Sequence, residues 1–410
     1  MGGAVRVGET RIEVDEYLKA PDRVAQALEQ VRQAGGHAQC ECVQPARKLV
    51  VRRLRARHIL AVWPGDGPSH AFACPFYRDE LDDAAAPLTE ASTEPAEPPP
   101  LRVDFLLERR AGTPRRSRAD ADTSGADEPA REPQGHRLSL PDLLDLLWER
   151  SRMNCWASGW TRPWWRVRAE IYRVAQEIRI GERFLDELLY VPPPFRRDDD
   201  SKEAIEREWQ RFIADLQPRD GAVPRRMVLA EVKSLVKSEF GYKLDLRHAP
   251  WPVYLKREQW EQLQASYARA LLGLTHPSEP PLRIACLLLV EGATNNKHYL
   301  SLCDAAMLMT SEAWIPCHTT AELRLAARLV DQARDFKRPM GANDEALALP
   351  DFWLRDVAKD QPTALEVLGV QAVPYRERKM RRVNALRASG HPVWIWDATR
   401  DDIPALPPRQ

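Results

Sequence analysis

The chain is 410 residues long, enough for about two to four domains with cores of their own. Lys and Arg together number 60, as do Asp and Glu, so net charge points to no class of partner and only the distribution of charge can. No apolar run approaches the roughly 20 residues of a membrane span, and the start MGGAVRVGETRIEVDEY lacks an apolar signal core, which argues for a cytoplasmic protein with no membrane partner.

Seven cysteines in that setting suggest free thiols or a metal site rather than disulfides. Helical spacing over Val14–Gln33 is followed by Cys40-x-Cys42, two strand-like runs (Lys48–Leu54 and His58–Trp63), and His70-x-x-x-Cys74. The hairpin between the two pairs would bring them together. Cys40, Cys42, His70 and Cys74 then supply a tetrahedral ligand set for structural zinc. Residues 9–80 are thus expected to form a small zinc-binding β unit; the alternative is three buried thiols and a surface histidine. The arginine-rich stretch RKLVVRRLRARH reads equally as a phosphate contact or as a solvated hairpin.

Residues 82–137 combine acidic, Pro-rich and charged stretches that cannot bury enough apolar surface to order themselves, and read as a disordered linker. Within them Leu101–Leu107 alternates like a strand and could return to the first unit. Residues 138–216 read as a helical region, opened by Ser139 as a cap. Trp160, Trp164 and Trp165 alternate there with Arg162, Arg166 and Arg168, a pattern that fits either base stacking or an ordinary packed helix face. Residues 222–293 read as β-rich, with strands over Met227–Lys237, Tyr242–Arg247 and Pro281–Glu291 and a helix over Arg257–Leu274. Asp220 with Glu231-Val232-Lys233 forms an acidic–basic motif, but Asp220 lies in a turn and no basic helix follows.

In residues 295–402, LCDAAMLMTSEAWIP is expected to cover a sheet edge and Thr319–Phe336 to form a core-packing helix carrying Glu322. Three apolar runs follow, Phe352–Leu354, Ala364–Val370 and Val393–Trp396, with a basic helical pattern over Tyr375–Ser389. Ala364, Glu366 and Leu368 share one strand face, so Glu366 is a carboxylate in apolar surroundings and needs a cation, a metal or a donor beside it. Asp351 can lie next to it if the strands pair.

Pro350-Asp351, then Glu366-x-Leu368, a basic helix and a last strand resemble the core of PD-(D/E)XK nucleases, over about a fifth of the chain. The resemblance implies a restriction-endonuclease-like α/β core at the end of an α+β multidomain chain. It implies magnesium at Asp351 and Glu366, an accessory acid at Glu322, and a catalytic lysine two residues after the glutamate. Leu368 occupies that last position, and Lys379 on the next helix is the candidate substitute. Arg376, Arg378, Arg381 and Arg382 are candidate contacts to a DNA backbone.

The CxC…HxxxC unit, LLWERSRMNCW, LAEVKSLVKSEFGYKLDLRH, RDFKRP and LPDFWL…LEVLG…YRERK together resemble a bacterial domain-of-unknown-function family of conjugative and integrative elements. That resemblance implies a mobile-element role without an established activity, and other mobile-element proteins as partners; DNA is the partner expected from the nuclease-like core and its basic helix. Three functions follow: a divergent metal-dependent nuclease, an inactive DNA-binding accessory protein on a nuclease-like scaffold, or a protein-interaction module.

Overall fold

The computed structural model describes residues 3–79, 99–110, 137–195, 199–239, 241–276, 278–292, 299–340, 349–357 and 361–410. Most of the expected linker, residues 82–98 and 111–136, lies outside them. The chain forms two compact units. The first comprises Met1–Pro98, Trp156–Glu170 and Ala333–Asp335; the second comprises Pro99–Cys155, Ile171–Gln332 and Phe336–Gln410. The fold is α+β, with mixed sheets and helices.

The first unit is built on five antiparallel strands in the order Thr10–Glu13, Ala4–Val7, Ala38–Cys40, Arg47–Leu54 and Arg57–Val62. Leu49 and Val51 point to the core side of the central hairpin, where Val51 faces Leu60 across the strands. Two helices, Val14–Lys19 and Ala25–Gln33, contribute Val14, Tyr17 and Leu28 to that core. The single helix expected over this stretch is interrupted because Pro21 lacks an N–H and pushes Ala20 out of helical dihedrals (φ −146°, ψ 68°). The tryptophan–arginine segment serves packing in this unit. Arg162 lies over the rings of Trp156 and Trp160, Lys19 sits 4.3 Å over Trp165, and Arg166 pairs with Asp15.

The second unit contains a closed barrel. Arg226–Ser238 pairs antiparallel with Gly241–Leu246, which pairs antiparallel with Val253–Leu255. That short strand runs parallel to Leu300–Ser311, which pairs antiparallel with Leu282–Gly292, and Leu282–Gly292 returns antiparallel to Arg226–Ser238. The helix Arg257–Thr275 joins the third and fourth strands. LCDAAMLMTSEAWIP (302–316), expected to cover a sheet edge, instead lies largely within a full barrel strand, Leu300–Ser311. Most of it is buried on both faces, so it reads as a continuous apolar run without alternation. Leu101–Leu107, read as a strand that could return to the first unit, belongs to the second, and Glu108–Arg110 just beyond it pairs with Ala222–Pro224. Arg109 holds the buried Glu291 with two hydrogen bonds of 2.9 and 3.0 Å, and Arg225 adds a third of 2.9 Å.

The helix Leu140–Arg150 starts at the expected Ser139 cap: Asp142 N–H donates to Ser139 Oγ (3.3 Å) and Ser139 N–H to Asp142 Oδ2 (2.9 Å). Its Trp148 is fully buried and donates its indole N–H to the Trp314 carbonyl at 3.1 Å.

After the barrel come the helix Thr320–Asp331, the strands Phe336–Lys337, Phe352–Leu354 and Thr363–Val367, the helix Val373–Ala388, and the strand Val393–Trp396. The first three strands meander antiparallel and the fourth lies parallel to the third. A parallel neighbour needs a crossover, and the basic helix provides it. It therefore lies against the strand that carries Glu366.

Gly241 opens the second barrel strand with φ +151°, and a Cβ there would lie 2.2 Å from the Leu255 carbonyl oxygen. Gly241→Ala should destabilise the protein by at least about 1–3 kcal/mol, the cost of one strained backbone residue. A lower midpoint in urea denaturation checks this, with Gly390→Ala, where a Cβ meets nothing within 4 Å, as a milder comparison.

Candidate functional site

Two clusters of chemistry-bearing side chains stand out. In the second unit, Asp351 sits immediately before its strand and Glu366 lies inside the neighbouring one, with Phe352 opposite Leu365. The N–H of Val367 donates to Asp351 Oδ2 at 2.8 Å, which holds the two strand ends together. Tyr375, Lys379 and Arg382 are spaced to share one face of the crossover helix and turn toward these carboxylates. Lys379 Nζ donates to both Asp351 oxygens and, at 3.0 Å, to Glu366 Oε2. Arg382 Nη2 reaches Asp351 Oδ1 at 3.0 Å and Glu366 Oε2 at 2.8 Å; its Nε lies 2.7 Å from Glu366 Oε1 in an ionic contact outside hydrogen-bond alignment.

Two anions thus meet two cations in a buried network without net charge. Burial favours the neutral form of Asp351, but Lys379 and Arg382 outweigh it and hold this carboxyl below its ordinary value. Burial, reinforced by the charge of Asp351, pushes Glu366 up to about 7 against the pull of the same two cations. Burial also opposes the charge of Lys379, and the two carboxylates more than offset it, raising its pKa. Tyr375 closes the group by donating its hydroxyl to the Val367 carbonyl at 3.2 Å.

Leu368 is buried and its N–H donates to the Trp396 carbonyl at 2.8 Å. A side chain at that position packs, and the cation comes from the helix instead. Both Glu322 oxygens are engaged near the start of its own helix: Oε2 accepts from His318 N–H (2.9 Å) and Arg338 Nη2 (3.2 Å), and Oε1 from Thr319 Oγ1 (3.3 Å). Arg338 Nη2 also lies 3.0 Å from His318 Nδ1. Burial lowers the His318 pKa, and the charges of Asp351 and Lys379 act on it as well, so this group neighbours the carboxylate network. His318 and Arg338 were not singled out in the sequence, since each gains meaning only from contacts distant in the chain. Arg376 pairs with Asp397 at 2.7 Å, whereas Arg378 and Arg381 are exposed on the outer side of the helix. Glu231 of the rival motif pairs with Arg247 (2.8 Å) and Arg283 (3.1 Å), while Lys233 is exposed.

The donor set for magnesium is a poor fit. Lys379 and Arg382 already neutralise both carboxylates, and a divalent ion would have to take the place that Arg382 fills.

The first unit carries the second cluster. Cys40 ends its strand, Cys42 lies in the turn that follows, and His70 and Cys74 bracket the turn beyond the hairpin. Their ligand atoms all lie within 4.8 Å of one another. The separations are 3.5 Å for Cys40–Cys74, 3.3 Å for Cys42–His70 Nδ1 and 3.7 Å for Cys74–His70 Nδ1. Zinc bonds of about 2.3 Å to sulfur and 2.0 Å to nitrogen give a three-sulfur, one-nitrogen tetrahedron with edges of about 3.5–3.8 Å, within a few tenths of an ångström of these separations. The cluster suits a structural zinc site on these distances. Among themselves the thiols can share little negative charge: hydrogen bonds from Cys40 and Cys74 hold Cys42 far below its ordinary value, and Cys42 in turn pushes Cys40 up to about 12. A divalent cation would stabilise all three thiolates at once.

The family "Protein of unknown function (DUF1173)" matches residues 11–399, nearly the whole chain. The chain belongs to this family. No curated protein and no solved structure matches it. The DUF1173 match spans the cysteine–histidine cluster, the barrel and the carboxylate network together. Among the described residues, no helix of this DUF1173 chain is long and apolar enough to cross a membrane.

Two outcomes are expected. Lys379→Met leaves two buried carboxylates short of a cation and should cost about 3–5 kcal/mol, the usual penalty for breaking a buried pair, read as a lower urea midpoint. Metal analysis of the purified protein should find zinc at one equivalent per chain, lost in Cys74→Ser, and chelation should lower the thermal midpoint.

Proposed function

We propose that this protein binds DNA in a bacterial mobile element, on a C-terminal scaffold of the PD-(D/E)XK nuclease type. The helix, antiparallel meander, crossover helix and parallel last strand follow the element order of that type of core, and Asp351 and Glu366 lie at its adjoining strands. One observation carries the choice between binding and cleavage. Lys379 and Arg382 satisfy both carboxylates from within the protein, so the acidic pair is closed. On this reading the network is a structural core for the crossover helix. The exposed Arg378 and Arg381 meet the phosphate backbone and make binding salt-dependent. The zinc cluster staples the first unit.

A second reading, a divergent nuclease, draws on a specific feature of the same network. Lys379 touches both acids, as the lysine missing at Leu368 would. Asp351, Glu366 and Lys379 would then be its reacting groups, with Glu322 and its partner Arg338 beside them.

Incubating the protein with single- and double-stranded DNA in magnesium or manganese separates the two. We expect retention in a gel shift at low salt, weakened roughly tenfold or more as Arg378→Ala and Arg381→Ala remove phosphate contacts, with no cutting. Metal-dependent cutting that Glu366→Gln abolishes without unfolding the protein would overturn this choice in favour of the nuclease. No retention at low salt would leave a protein-interaction module.

A further inference from the structure

The barrel of the second unit has a connectivity with functional meaning. Its five strands close in the order first, second, third, fifth, fourth and back to the first, with a helix between the third and fourth. This Greek-key closure is that of OB barrels, which present the outer face of strands two and three to oligonucleotides or oligosaccharides.

The residues on that face follow from the register. Leu244, Val253 and Leu255 point inward and are buried. Their neighbours point outward. Val236 lies opposite Lys243, Lys243 opposite Tyr254, and Tyr254 opposite Ser301, forming one row across four strands. Tyr254 is 37% exposed and Val236 is 49% exposed. Tyr299, two residues before Ser301, meets Tyr254 edge to face with ring centroids 5.2 Å apart. Such a pair leaves ring faces uncovered by the partner. Residues 233–257 hold six Lys and Arg against two acidic residues; Lys243 lies 3.0 Å from Asp245, and Arg247 and Arg257 pair with Glu231 and Glu261 just outside this stretch, so Lys243 would exchange its carboxylate partner for a phosphate.

We propose that this outer barrel face binds single-stranded nucleic acid, with bases stacked on Tyr254 and Tyr299 and phosphates held by Lys243 and the surrounding basic residues. The local excess of cations favours a polyanion over a neutral oligosaccharide. Single strands are specified because duplex pairing keeps base faces out of reach, whereas an unpaired base offers its face to a tyrosine. The site is built on different elements from the basic helix that carries Arg378 and Arg381.

The test uses the full-length, zinc-replete protein and fluorescence anisotropy with labelled oligothymidylate, oligouridylate and a duplex of mixed sequence. Both single strands should bind at low salt, and any difference between them identifies DNA or RNA as the preferred ligand. Tyr254→Ala and Tyr299→Ala should each weaken binding about tenfold, as expected when one base stack is lost, while Tyr254→Phe retains it. Lys243→Ala should reduce the salt dependence by about one phosphate contact. Thermal midpoints of these surface variants should match that of the wild type. The proposal is overturned if neither single strand binds, if the double tyrosine variant binds as the wild type does, or if only Arg378→Ala and Arg381→Ala weaken single-strand binding. Tyr254-dependent binding of a neutral oligosaccharide, with none of nucleic acid, would also overturn it.

Discussion

Four ionisable side chains meeting in a largely buried site organise the C-terminal sheet and its crossover helix. Asp351 and Glu366 come from adjacent strands, and Lys379 and Arg382 from the helix that crosses over them. Each charge would be costly alone, and together they offset one another. The network therefore fixes three things at once: the pairing of the strand ends through Val367, the docking of the helix, and the rotation of that helix about its axis. With Lys379 and Arg382 turned inward, Arg378 and Arg381 are left facing solvent.

The same network constrains the chemistry. An acidic pair that holds a divalent ion must leave oxygen lone pairs open to it. Here Lys379 is nearly sealed, at 9% side-chain exposure, while Arg382 remains 31% exposed. Arg382 is accordingly the cation better placed to leave. The DUF1173 chain thus holds two adjoining buried carboxylates together with their own internal counter-charges.

Several features were legible in the sequence because they depend on local pattern. The strand-like runs Lys48–Leu54 and His58–Trp63, found as Arg47–Leu54 and Arg57–Val62, the Ser139 cap, and the spacing within each of the pairs Cys40/Cys42 and His70/Cys74 each involve short stretches whose geometry is set nearby. Asp351 and Glu366 were legible together because an acid in an apolar strand requires a partner, whereas Lys379 entered only through the nuclease resemblance, as the substitute for the lysine missing at Leu368. What was not legible depends on pairing between distant segments. The barrel closes through Arg226–Ser238 against Leu282–Gly292, and no periodicity announces which strands will meet. Arg382 was read as a phosphate contact because its place on the inner helix face depends on the crossover. Arg338 reaches Glu322 and His318 only once the chain returns past the helix, although the His318 N–H contact with Glu322 is itself local.

The most direct test of the closed carboxylate pair is manganese binding, followed by calorimetry on the zinc-replete wild type and on Arg382→Ala. The account predicts no manganese uptake at Asp351 and Glu366 in the wild type and uptake once the guanidinium is removed. Tight binding by the wild type that Glu366→Gln abolishes would contradict it, because Arg382 would then not be the group that closes the site.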